Sequence, residues 1–240
     1  MRRAFEILDD RPTPMGELVL RRRRQLSLGV DVYEIKLGED FLMSSLFTAS
    51  EVALARLGLA TLDGSDLEVV VGGLGLGYSA REVLAHETVS TLLVVEALAP
   101  VIDWHTGGLL PLGPALAADP RCRLVQGDFF ALAASAAGFD PQSPGRRFDA
   151  ILVDIDHAPD QWLAPHHQPF YQPQGLRRAA ARLRPGGVLG LWSDGLPDER
   201  FTARLAEVFA TARAEPITFY NPLQDREATQ TVYLAQVGAD

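Results

Sequence analysis

The chain has 240 residues, 47% of them hydrophobic and 22% charged, enough to bury one sizeable core with a small appendage. Its net charge of −9 excludes a general polyanion binder, which needs a surplus of Lys and Arg, and suits a neutral or cationic small substrate. One cysteine, Cys122, excludes an intrachain disulfide framework and a multi-cysteine zinc site; with no secretory segment and no apolar run of membrane-spanning length, a soluble cytoplasmic protein with no membrane partner is expected.

Residues 17–45 read as two or three short strands, with alternation in "VDVYEIKL" and Gly29 and Gly38 as punctuation. They define a small β-rich N-terminal domain, 1–45, ahead of a larger domain, 46–240. The run Arg21 to Arg24 places its side chains alternately on two strand faces, so a solvated or edge-protecting strand is expected rather than a nucleic-acid contact. "SSLFTASEVALARLGLATL", with Thr48 or Ser50 as N-cap and Leu or Ala at helical spacing, reads as a helix.

From residue 67 strand-length apolar runs alternate with helix-length segments: "LEVVVGG", "TLLVVEA", "CRLVQGD", "FDAILVDID" and "GVLGLWSD". Near-continuous Val, Leu and Ile is the pattern of strands covered on both faces. "EPITFYNP" and "TQTVYLAQV" follow each other across the polar turn "LQDREA" and read as a hairpin. The expected fold is α/β, a Rossmann-like seven-stranded, mostly parallel sheet with an antiparallel C-terminal hairpin, beside the N-terminal β-rich piece. The edge strands of that piece leave room for a homodimer.

Gly73, Gly75 and Gly77 follow the first strand of this sheet and precede the helix "SAREVLAH". Glycines there allow a tight turn and close approach of backbone to a ligand. Glu96, at the tip of the next strand, is placed to accept both hydroxyls of a ribose. Asp128, ending the third strand, could accept an adenine amine, with Phe129 or Phe130 against the ring. Asp154 ends the fourth strand at the same crevice. Glycine or carboxylate sites on four successive strand tips suit an adenosine with a cationic amino-acid tail better than a pyrophosphate, which points to S-adenosylmethionine. Tyr78 and Trp162 are candidates to wall an acceptor pocket, Asp194 in "SDGLPDE" to line it, and Asp154, aided by Asp156 or His157, to orient or deprotonate an amine. His157, His166 and His167 match no helical metal-ligand spacing, so no metal is expected.

These residues resemble the class I S-adenosylmethionine-dependent methyltransferase fold and, within it, the spermidine synthase-like branch. "GGLGLGYSAREVLAH" is similar to that family's glycine loop and helix start, "LLVVEALAPVIDW" to its second strand, "DPRCRLVQGDFF" to its third, and "FDAILVDIDHAP" to its fourth. "FYQPQGLRRAAARLRPGGVLGLW" resembles the segment that follows. The resemblance implies that Gly73, Gly75, Gly77, Glu96 and Asp128 bind the nucleoside and that Asp154 faces the reacting amine. Two departures stand out. Leu76 falls where the family's loop has an aspartate that holds the aminopropyl amine of decarboxylated S-adenosylmethionine, and "DIDHAP" replaces its "D-S-S-D-P". A leucine loop would leave an ammonium without its counter-charge, whereas backbone N–H groups of the loop could receive the carboxylate of the intact cofactor. Methyl transfer to a small amine is therefore favoured; aminopropyl transfer and a non-catalytic binding homologue are the alternatives.

Overall fold

Two β-sheets organise the chain, which the computed structural model describes over residues 4–239. The smaller sheet is antiparallel in chain order: β1 (Phe5–Thr13), β2 (Gly16–Gln25), β3 (Val30–Leu37) and β4 (Asp40–Ser44). Three of these strands span residues 16–44, matching the two or three expected over 17–45, and β1 precedes them. β1, "FEILDDRPT", is charged, contains Pro12 and buries few side chains, as tolerated on a sheet edge.

The arginine run lies on β2, between β1 and β3, which corrects the edge-strand expectation. Its side chains do alternate, but they are paired across the ladder rather than simply solvated. Arg21 and Arg23 donate from Nε to Glu34 at 2.7 and 2.8 Å. On the other face, buried Arg22 reaches Glu6 at 2.8 Å and Arg24 reaches Asp31 at 3.2 Å. Arg21, Arg22 and Arg24 stand directly opposite their acidic partners in the register, the arrangement in which opposite charges stabilise a sheet.

After α1 (Ala49–Leu59) comes the seven-stranded sheet, in the order β10-β11-β9-β8-β5-β6-β7. Strands β5 (Leu67–Gly72), β6 (Val89–Glu96), β7 (Cys122–Gln126), β8 (Phe148–Val153) and β9 (Leu183–Ser193) are parallel. The hairpin β10 (Thr211–Asn221) and β11 (Arg226–Gln236) joins through an antiparallel pairing of β11 with β9. Helices α2 (Tyr78–Leu84), α3 (Ala99–Thr106), α4 (Gly113–Ala118), α5 (Phe129–Ala134), α6 (Pro173–Ala180) and α7 (Glu199–Ala206), with a 3-10 turn at Pro165–Tyr171, fill the connections.

The apolar runs divide by strand periodicity into two cores. Val69, Val71, Leu92, Val94 and Leu152 face one layer, and Val70, Leu93, Val95, Ile151 and Val153 the other, all essentially solvent-free. That is why these strands read as continuous rather than alternating hydrophobic segments. Helix α1 lies close to the first layer, because a Cβ at Gly58 or at Gly190 would each come within 2.8 Å of Leu152. Leu18, Leu20, Ile35 and Leu37 of the small sheet join the same layer, beside Leu74, Leu76 and Trp104. Trp104 donates its indole N–H to Asp9 at 2.6 Å.

Strand order also fixes where a ligand can sit. The chain runs from β5 outward through β6 and β7, then crosses back to β8 on the opposite side of β5. The loops after β5 and β8 therefore diverge and open a crevice at the carboxyl edge of the sheet, the switch point of an open α/β fold.

Candidate active site

The loop after β5 bends through glycines with φ of +91° at Gly73 and Gly77. Side chains are barred as well as strained there. A Cβ on Gly73 would lie 2.2 Å from the carbonyl oxygen of Asp154, and one on Gly77 would lie 2.7 Å from Leu116 and 2.9 Å from His105. The loop can thus lie against the end of β8 and above α3 only as glycine. Its N–H groups, expected to be open for a cofactor carboxylate, are engaged. Gly73 donates to Val95 O at 2.9 Å, Leu74 to Glu96 Oε2 at 2.9 Å, Leu76 to Met43 Sδ at 3.0 Å and Gly77 to Leu74 O at 2.8 Å. The side chain of Leu76 is buried in the first core layer, so the loop presents no carboxylate of its own at that position.

Glu96, Asp128 and Phe129 line one cavity with Gly73 and Gly75, about 580 Å³ in volume, the size of a small-molecule site. Glu96 also accepts from Leu98 N at 2.9 Å, and burial raises its pKa against the opposing pull of these backbone donors. Asp128 caps α5 through Oδ1, accepting from the N–H groups of Phe130 and Ala131, while its Oδ2 lies 2.9 Å from His166 Nε2. Phe129 packs beneath β5, stacked on Phe139 at 4.9 Å, where a Cβ on Gly72 would collide with its ring.

The other end of the cavity is acidic. Asp154, at the tip of β8, accepts from Ser79 Oγ at 2.6 Å. Glu51, which the sequence reading overlooked, enters from the first turn of α1 and lines the same wall, as do Asp194, Gln230 and Trp192. Burial raises Asp154 to about 6. Burial, and then repulsion from Asp154, raises Glu51 to about 8. The two titrate as a pair.

Ser50 ties Glu51 into the wall of the cavity. Ser50 Oγ receives Trp192 Nε1–H at 2.8 Å and lies 2.5 Å from Gln230 Oε1 and 2.9 Å from Glu51 Oε2. One hydroxyl has one proton and two acceptor positions. Its single proton serves either Glu51 Oε2 or Gln230 Oε1, the amide nitrogen of Gln230 in turn donating to Asp194 Oδ1 at 2.7 Å; in the second arrangement a protonated Glu51 would donate to Ser50. Both carboxyls therefore hold protons above the ordinary carboxylate range, Glu51 the more strongly because the charge of Asp154 adds to its burial.

His157 and Asp194 are brought to this wall, and Asp194 N donates to His157 O at 2.7 Å. Asp156, Tyr78 and Trp162 are not among the cavity-lining residues. Asp156 is 2% exposed and turned into the second core, where it accepts from Leu163 N and Tyr171 Oη and lies 2.8 Å from His167 Nδ1. It fastens the 3-10 turn, and burial beside it drives the Tyr171 phenol far up. The reason is periodicity: one residue separates Asp154 from Asp156, but the chain has left the strand and turns inward. Tyr78 begins α2 with the Arg81 guanidinium 5.1 Å from its ring, and Trp162 donates to Pro159 O at 2.9 Å. Gly77 supports the loop from below without reaching the cavity.

The fold is spermidine synthase-like, consistent with the broader class I methyltransferase-like architecture. A spermidine synthase solved with the transition-state analogue AdoDATO superposes with a TM-score of 0.72 at 17% identity, covering 98% of this chain and 74% of that one. Spermidine synthase from Thermotoga maritima superposes with a TM-score of 0.71 at 16% identity, with the same coverage. In sequence, the chain is 35% identical over 144 residues to spermine synthase from Arabidopsis thaliana, 59% of this chain and 35% of that protein. It is 27% identical over 157 residues to polyamine aminopropyltransferase 2 from Pseudomonas aeruginosa, and 29% identical over 136 residues to putrescine N-methyltransferase 3 from Nicotiana tabacum. Those matches cover 60% and 57% of this chain and 40% and 32% of the relatives, so each alignment spans about a third to two-fifths of a relative's length. No family model matches the sequence. Among the described residues no helix is long and apolar enough to cross a membrane.

Proposed function

We propose that this chain is a transferase of the spermidine synthase-like family that moves a methyl group from S-adenosylmethionine to a small amine, a polyamine-type acceptor. The observation that carries the reading is the Glu51–Asp154 pair, which faces the same cavity as the glycine loop and Glu96. The loop suits a nucleoside sulfonium: Gly73 lies against β8 with no room for a side chain, and Glu96 stands where ribose hydroxyls would meet it.

S-adenosylmethionine, when bound, supplies a carbon activated by its sulfonium sulfur; the amine lone pair forms the new C–N bond while the C–S bond breaks, leaving S-adenosylhomocysteine. The protein's part is to position the partners and to handle one proton. An amine arrives protonated and cannot attack until it is neutral. Asp154, ionised above about pH 6, is the group to hold the ammonium and take its proton. Glu51 stays protonated and adds no second charge, so the pocket matches a single ammonium at the reacting end. Asp194 and Trp192 stand on the same wall to receive the remainder of a cationic acceptor.

Methyl transfer is preferred because Leu76 is buried and gives the loop no counter-charge for the ammonium of a decarboxylated cofactor. Aminopropyl transfer from decarboxylated S-adenosylmethionine is the second reading, favoured by the engagement of the loop N–H groups and by the named activity of the aminopropyltransferase relative. Calorimetry with the two cofactors side by side separates them. Tighter binding of the intact form is expected, and tighter binding of the decarboxylated form would overturn the methyl-transfer reading. Asp154→Asn should lower turnover by about a hundredfold or more while S-adenosylhomocysteine still binds. Undiminished turnover would remove Asp154 from its role.

A further inference from the structure

The peptide joining Gly75 to Leu76 is gripped from both sides. Its carbonyl lies 2.9 Å from His105 Nε2, and its N–H donates to Met43 Sδ at 3.0 Å. In a trans peptide these two groups point in opposite directions, so fixing the carbonyl aims the N–H.

His105 lies in α3 beneath the loop and is 0% exposed. Burial lowers its pKa, and its Nδ1 has no hydrogen-bond partner among the described residues. The ring is therefore neutral with its proton on Nε2, the tautomer that gives the Gly75 carbonyl a donor. An unpaired buried nitrogen costs stability that a phenylalanine there would not, so packing alone does not account for a histidine. Gly77 completes the seat, since a Cβ there would lie 2.9 Å from the ring.

Met43 descends onto the same peptide from β4, lines the cavity, and would stand 2.7 Å from a Cβ on Gly75. A thioether is a weak acceptor. Gly73, Leu74 and Gly77 donate instead to oxygen. Leu76 N–H is thus the loop donor whose present partner a carboxylate would most easily replace, because a charge-assisted N–H···O⁻ bond is about twice as strong as a neutral one.

We propose that His105 is a positioning residue of the cofactor loop: it fixes the Gly75 carbonyl so that the Leu76 N–H points at Met43, which lines the cavity, and exchange of Met43 Sδ for a carboxylate at that N–H selects cofactor tails that carry one. The inference rests on the nucleoside-binding reading and deepens it. A decarboxylated tail leaves Leu76 on the thioether and gains nothing at this peptide.

The test is titration calorimetry of wild type, His105→Phe, His105→Gln and Met43→Leu with two probes: S-adenosylhomocysteine, which has the tail carboxylate, and methylthioadenosine, which lacks the tail. His105→Phe should weaken S-adenosylhomocysteine about tenfold and methylthioadenosine no more than about twofold. His105→Gln, whose amide N–H can reach the carbonyl, should recover most of the difference. Met43→Leu removes the competing sulfur at similar volume and should tighten S-adenosylhomocysteine about threefold, a readout independent of how His105→Phe folds. An equal loss for both probes in His105→Phe would make His105 merely structural, and an unchanged ratio of the two affinities in all three variants would overturn the proposal. If wild type binds neither probe, the nucleoside reading itself fails. If it binds both and the ratio does not move, the inference alone fails.

Discussion

Replacing Glu51 by Gln isolates the electrostatic cost stored in the acidic end of the cavity. In the native protein Glu51 holds its proton up to about pH 8, whereas an unhindered glutamate releases it near 4.5. Between those values the native state binds more protons than the unfolded chain, so this group's contribution to stability falls as pH rises through the window. A shift of that size corresponds to a ceiling of about 5 kcal/mol, at about 1.4 kcal/mol per pKa unit, reduced by whatever water and relaxation the cavity admits. Glutamine keeps the shape and can donate to Ser50 from its amide, but it never ionises. Urea unfolding of both proteins should therefore show a constant offset below about pH 4 and a gain of several kcal/mol for Glu51→Gln by about pH 9. Titrations common to both proteins cancel in the difference. A difference that stays flat across this range would refute the protonated Glu51.

Gly73→Ala should raise the dissociation constant for S-adenosylhomocysteine by about a hundredfold or more, because its methyl group would meet the Asp154 carbonyl at 2.2 Å in a backbone conformation unfavourable to L residues. Wild-type affinity in calorimetry would show that the loop is free to move away from β8. Asp156→Asn should cost about 2–4 kcal/mol in urea unfolding, since one change disturbs the contacts with His167, Tyr171 and Leu163 N together. A variant as stable as wild type but without turnover would return Asp156 to the catalytic role that the sequence suggested for it.

The parallel strands were legible because burial on both faces leaves uninterrupted Val, Leu and Ile, and the C-terminal hairpin because two strand patterns meet with no helix between them. β1 was illegible for the opposite reason: an edge strand buries little, so its sequence carries no apolar pattern. Asp154, Glu96 and Asp128 could be placed because strand tips in such a sheet face one edge. Asp156 could not, because its direction depends on where the backbone turns after Val153. Glu51 was hidden in plain view, since an acidic residue in the first turn of a helix has an ordinary explanation in the helix dipole. Thr48, placed correctly ahead of α1, makes no side-chain cap bond. His105 and Met43 act only through the loop they enclose, a relation that comes from tertiary packing.

The seating of α1 connects distance to acidity. Gly58 stands seven residues beyond Glu51, two turns along the same helix face, and together with Gly190 it gives Leu152 room that side chains would occupy. The helix thereby settles deep enough to submerge Glu51 next to Asp154. The proton affinity at the heart of the cavity is thus governed partly by two absent methyl groups in the hydrocarbon interior, where a substitution would look like a matter of packing and be felt as a change in chemistry.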